Sequence, residues 1–163
     1  MATFASQATT IETLGSAEGE SPRAWSEATL ARIRRRMERV CRDHGGVRLS
    51  SGADHVRVHA SGAEGFDAGI VLSDGACIVT LGAWHDDFDS VDMAMEYLEL
   101  AVKGALRLKI ERVGARPRRW TVERRQDDQT WVEAAMMDVP MFFRTGTRST
   151  TYLRNDFRGS AHA

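Results

Sequence analysis

Residues 69–81 read GIVLSDGACIVTL, two apolar runs separated by Ser73-Asp74-Gly75. Asp-Gly between such runs is a strong hairpin signal, because both residues tolerate the positive φ that a tight turn demands. Residues 69–72 and 76–81 are therefore expected as adjacent antiparallel strands, and the rest of the chain has to be arranged around them. Immediately upstream, residues 55–60 alternate Val56, Val58 and Ala60 with His55, Arg57 and His59, the period of a half-buried strand. Residues 47–49 give a weaker one.

Before these strands, Leu30, Ile33, Met37, Val40, Cys41 and His44 recur at spacings of three and four, which is one face of a helix. Ser21-Pro22 starts it, since a serine oxygen can accept from a free backbone N–H and proline at the first helical position has none to leave unpaired. Gly45-Gly46 stops it, giving a helix over 22–44 of about 33 Å at 1.5 Å per residue. Downstream of the hairpin, a second helix is expected from Asp89 or Ser90 to about Leu106, burying Val91, Ala94, Met95, Leu98, Ala101, Val102 and Ala105. Its acids lie early and its cations late, which suits the helix dipole. Strands then follow over 108–113, 118–124 and 130–137, and residues 139–153 hold a last apolar patch.

The fold class read from this order is α+β: an antiparallel sheet of about six strands with two helices packed on one face. The segments GADHVRV (52–58) and GARPRRWTV (114–122) raise a possible duplicated unit. At 163 residues, 42% of them hydrophobic, the chain suffices for one sizeable core and is short for two. The expected organisation is a disordered arm over 1–20, a single domain over 21–153 and a flexible tail over 154–163. The order helix, strands, helix, strands resembles that of small secretion-chaperone-like domains in topology alone. Those domains are more acidic, and the resemblance carries no site residue over.

A net charge of −1 conceals strongly charged blocks: −3 over 1–22, +5 over 23–42, −9 over 43–99, +7 over 100–125 and −1 over 126–163. Part of this is helix polarity, and the basic strands could pair within the fold with the acidic block. The first twenty residues lack the basic-then-apolar pattern of a signal peptide, and no run of 18 apolar residues occurs. Cys41 and Cys77 both fall at apolar positions and read as small buried hydrophobes, not a disulfide. A cytoplasmic location without membrane attachment is expected.

Hydrolase elbows, HExxH, phosphate loops and dinucleotide fingerprints are absent, so neither a catalytic residue nor a cofactor is assigned. His85, Asp86, Asp87 and Asp89, between a strand end and a helix start, could supply part of a metal site. The competing reading has Asp89 or Ser90 capping the helix. His55 and His59 share a strand face about 13 Å apart, too far for one ion. Glu123 and Glu133 could face each other across the 118–137 hairpin.

The binding candidates are Arg116, Arg118, Arg119, Trp120 and Trp131, an arginine cluster no helix end explains. Arginine forks suit phosphate and carboxylate, and an aromatic beside them can stack on a base or anchor a protein interface. Three functions follow from one composition. The leading one is a non-catalytic module holding a protein partner, chaperone-like or adaptor, and a homodimer. A nucleic-acid accessory protein using the arginine clusters is the first alternative, and a metal-dependent enzyme centred on His85 the second.

Overall fold

The computed structural model describes residues 22–44, 47–73, 75–140 and 145–157. The expected arm over 1–20, the Ser21 cap, Gly45-Gly46 and residues 158–163 lie outside them. Helix α1 spans Pro22–Asp43 and buries Leu30, Ile33 and Met37. At its end the His44 ring nitrogen Nδ1 lies 3.0 Å from the Val40 carbonyl oxygen, so the imidazole occupies one of the acceptors the last turn leaves open.

Five strands follow as an antiparallel meander: β1 (Leu49–Ser51), β2 (His55–Val58), β3 (Ala68–Ser73), β4 (Ala76–Leu81) and β5 (Trp84–Phe88). In the expected hairpin, Ser73 faces Ala76 and Gly75 takes φ 83°. The register lines up Val56, Ile70 and Val79 in one row and Val58, Ala68 and Leu81 in the next, all fully buried. Helix α1 covers β1 and β2, while α2 (Val91–Val102) covers β3 and β4.

Ser90 caps α2 by accepting from the Met93 N–H at 3.1 Å, and Ala94, Met95, Leu98, Ala101 and Val102 are buried as their spacing requires. The helix ends at Val102, short of Leu106. Gly104 adopts φ 63°, its N–H donates to Ala101, and the Ala105 N–H donates to Leu100. This left-handed closing turn is favoured at glycine, and it frees Leu106 to begin the next strand.

The remaining strands form a second sheet: β6 (Leu106–Val113), β7 (Arg116–Arg125), β8 (Trp131–Asp138) and β9 (Arg148–Leu153), in the order β8-β7-β6-β9. The α+β class holds, but nine strands divide into sheets of five and four where one sheet of about six was expected. Two of the added strands, β5 and β9, are edges rich in acid or in serine and threonine, so they carry almost no burial alternation. The helices cover the first sheet, with α2 also reaching β6. The two sheets differ in strand number and order, which a simple duplication would not produce.

Residues 154–157, expected to open a tail, are instead packed into the fold. Asn155 is fully buried; its Oδ1 accepts from the Phe66 N–H at 3.0 Å and its Nδ2 donates to the Phe66 carbonyl at 2.9 Å. The Arg154 N–H donates to the Glu64 carbonyl, the Asp156 N–H to Ser61 Oγ, and Phe157 enters the core. A Cβ at Gly65 would sit 2.5 Å from Asn155 Oδ1, and one at Gly104 would sit 2.7 Å from the Asn155 carbonyl oxygen. Removing the amide in Asn155→Ala strands a buried donor and acceptor on Phe66, at about 1–3 kcal/mol each. Urea unfolding is expected to show a loss of about 2–4 kcal/mol, and a loss below about 0.5 kcal/mol would refute the clamp.

Candidate functional site

The expected binding cluster is divided by the sheet it lies on. Trp120 pairs with Ile110 and Met137, is only 9% exposed, and belongs to the core. Trp131 pairs with Arg125 on the opposite face of β7 and β8 and is half-buried. The two tryptophans therefore do not share an open face. Arg119 also lies on the outer face, where its guanidinium binds both oxygens of Asp138 at 2.6 and 2.9 Å. These bonds hold the Asp138 carboxyl below its usual range. Arg118 follows the Trp120 side of the strand alternation, and Arg116 is exposed near the turn that ends β6. The five residues do not converge.

The metal candidates do not converge either. Residues 84–88 form β5, and strand alternation puts Asp86 on the side of Trp84 and Phe88 while His85 and Asp87 face the other way. Phe88 meets the Tyr97 ring of α2 edge-on, with centroids 4.9 Å apart. Ser90, not Asp89, caps α2. Among the described residues, no three His, Cys, Asp or Glu side chains are grouped to hold a metal ion.

Much of the charge division is settled inside the fold. Arg32 binds Asp92, Arg36 binds Glu99, and Arg124 reaches Glu96 at 3.2 Å. The basic side of α1 and the end of β7 thereby meet the acidic side of α2. Exposed pairs of this kind contribute up to about 1 kcal/mol each, so they orient the elements more than they stabilise them.

What the fold does bring together is a cluster spread over 46 residues of sequence. Arg107 on β6 places its guanidinium carbon 4.5 Å from the ring centroids of both Trp131 on β8 and Tyr152 on β9. Its Nε binds Glu123 on the neighbouring strand. Glu123 does face Glu133 across the hairpin, but Arg107 neutralises it. Beside this cluster lies a cleft of about 520 Å³, lined by the loop 61–65, Arg107, Trp131, Tyr152, Arg154 and Asp156. The loop is pinned from behind by Asn155 and the residues beside it, so this wall is set before any ligand arrives.

Arg107, Tyr152, Arg154 and the loop are absent from the sequence-based site. The only local signal was Ser61-Gly62 and Gly65, turn residues between strands. The arrangement offers cations, two aromatic faces and a polar rim. Burial pushes the thiols of Cys41 and Cys77 up from their ordinary value, with Glu38 adding to the shift at Cys41.

No family model, curated protein or solved structure matches the chain. The cysteines allow a direct check of the inert interior. Cys77 is buried as expected, whereas Cys41 is only half-buried; at neutral pH both raised thiols stay protonated, so a disulfide reagent is expected to label the native protein slowly and both positions rapidly in 6 M guanidinium. Fast labelling of either one in the folded state would contradict this picture.

Proposed function

We propose that the chain is a cytoplasmic, non-catalytic binding module that holds a protein partner through the outer face of its four-stranded sheet, in a chaperone-like or adaptor role, and that it acts as a homodimer. The observation that supports this best is Arg107 held between Trp131 and Tyr152 at the mouth of the cleft. Arginine and aromatic residues are the types that protein interfaces favour, because they contribute large contact area with few torsions to order. Met136 and Tyr152 extend the same face and are 48% and 49% exposed. Self-association draws support from charge: Arg35, Arg39 and Arg42 line the exposed side of α1, while Asp86, Asp87 and Asp89 lie at the edge strand β5. Strips of opposite sign on two copies can meet.

The chain has only two lysines, Lys109 on this outer face and Lys103 beyond the end of α2. Amine-reactive cross-linking in the native cell is therefore expected to capture the partner through Lys109, and Trp131→Ala is expected to abolish that product. Cross-links through Lys103 alone, unchanged by Trp131→Ala, would exclude this face. Light scattering at two salt concentrations tests the dimer, and a monomer at both removes it.

A second reading rests on the three α1 arginines, which fall at spacings of four and three opposite the buried Ile33 and Met37. Such a strip suits a phosphate backbone. If nucleic acid is the partner, each of Arg35→Ala, Arg39→Ala and Arg42→Ala should lower the slope of log affinity against log salt by about 1. No retention of DNA or RNA at low salt eliminates this reading.

A further inference from the structure

We propose that the free edge of β9 is a docking site for an extended, acidic segment of a partner protein, which joins the four-stranded sheet as a fifth strand. This rests on the reading of the chain as a protein-binding module and names the chemistry of the segment it takes.

The direction of the backbone groups carries the first part. The Gly114 N–H donates to the Thr147 carbonyl at 2.8 Å, so that pair, just beyond Val113 and Arg148, shares hydrogen bonds across β6 and β9. In an antiparallel ladder bonded pairs alternate with unbonded ones. Arg112–Ser149, Ile110–Thr151 and Leu108–Leu153 are then the bonded pairs. Arg148, Thr150 and Tyr152 must point their N–H and C=O groups away from β6. Arg154, next in the same alternation, shows that direction directly: its N–H donates to the Glu64 carbonyl at 2.7 Å. Among the described residues no backbone group takes up the outward positions of Arg148, Thr150 and Tyr152, all of which are exposed.

Edge strands are ordinarily guarded against such pairing by brevity, bulges, proline or charge. The other edges of this fold follow that rule. Strand β1 has three residues, and β5 carries Asp86 and Asp87. Strand β8 contains Glu133 and Asp138, and a register shift leaves Ala134 without a partner on β7. By contrast, β9 runs six residues, Arg-Ser-Thr-Thr-Tyr-Leu, with no proline and no shift against β6.

Charge selects the occupant. Residues 145–155 contain Arg148 and Arg154 and no acid. Neither arginine forms an ion pair among the described residues. They share the strand alternation of Thr150 and Tyr152 and stand about 20 Å apart at 3.3 Å per residue. Glu111, which faces Thr150, is held by Lys109 at 3.1 Å. A segment with an acid at every second or third alternate position would meet a cation at each end of the edge. Where the loop 61–65 closes the edge at Arg154, the cleft can receive a side chain against Tyr152. Main-chain bonds supply affinity in this mode and alternate side chains supply specificity.

The test uses the full chain and two synthetic heptapeptides with blocked ends, one alternating glutamate with valine and one alternating lysine with valine. Calorimetry at low salt is expected to show saturable binding of the glutamate peptide and none of the lysine peptide. Thr150→Pro removes one outward N–H and leaves the bonds to β6 in place. It should weaken binding by at least about tenfold, as should Arg148→Glu with Arg154→Glu. Should the proline variant unfold, N-methylation of alternate amides of the glutamate peptide makes the same test on the unaltered protein, with the same loss expected. No binding of the glutamate peptide, or equal binding after either change, overturns the proposal. A partner still cross-linked through Lys109 in Thr150→Pro but lost in Trp131→Ala would overturn the edge while leaving the sheet-face reading intact.

Discussion

Asn155 ties together three parts of the chain that are far apart in sequence, and the position of the cleft depends on it. Its amide occupies both backbone groups of Phe66, and its main chain lies against Gly104 at the end of α2. An amide buried at this depth is tolerated because it is fully hydrogen-bonded; unpaired, the same group would destabilise the fold. The clamp closes the loop of the first sheet onto the last strand of the second. Two glycines on its flanks leave no room for a Cβ, so the joint is specified by steric exclusion as well as by hydrogen bonds.

From that joint the chemistry of the surface follows. The residues before Asn155 run back along β9 to Tyr152, whose ring meets the Arg107 guanidinium. Trp131 approaches the same guanidinium from β8, and Glu123 fixes its Nε. The guanidinium is thus held between two rings with its charge answered by a carboxylate. The acid facing Glu123 is Glu133, and Glu123 is the member of the pair that Arg107 engages.

The charge blocks of the sequence resolve in a similar way. Opposite signs on α1 and α2 face each other through Arg32, Arg36, Asp92 and Glu99, so much of what looks in sequence like a partner-seeking surface is an internal match. Arg35, Arg39 and Arg42 on α1, and Arg148 and Arg154 along β9, are among the exposed arginines that form no ion pair within the described fold.

Local signals in the sequence determined both helices, the hairpin of β3 and β4, the buried rows of β2 to β4 and the hairpin of β7 and β8, because apolar periodicity and turn residues act within a few positions. They also determined that Glu123 would face Glu133, since register follows from the turn. They did not determine that there are two sheets, because β5 and β9 are edge strands whose polar residues give no alternation to read. Nor did they place Trp120 and Trp131 on opposite faces: a register shift beside Ala134 lies between them in the pairing, and a single extra residue changes which side a side chain takes. The meeting of Arg107, Trp131, Tyr152 and Arg154 was decided by tertiary structure alone. They come from three separate stretches of chain, and only the closing of β9 onto β6, held by a buried asparagine, brings them to one place.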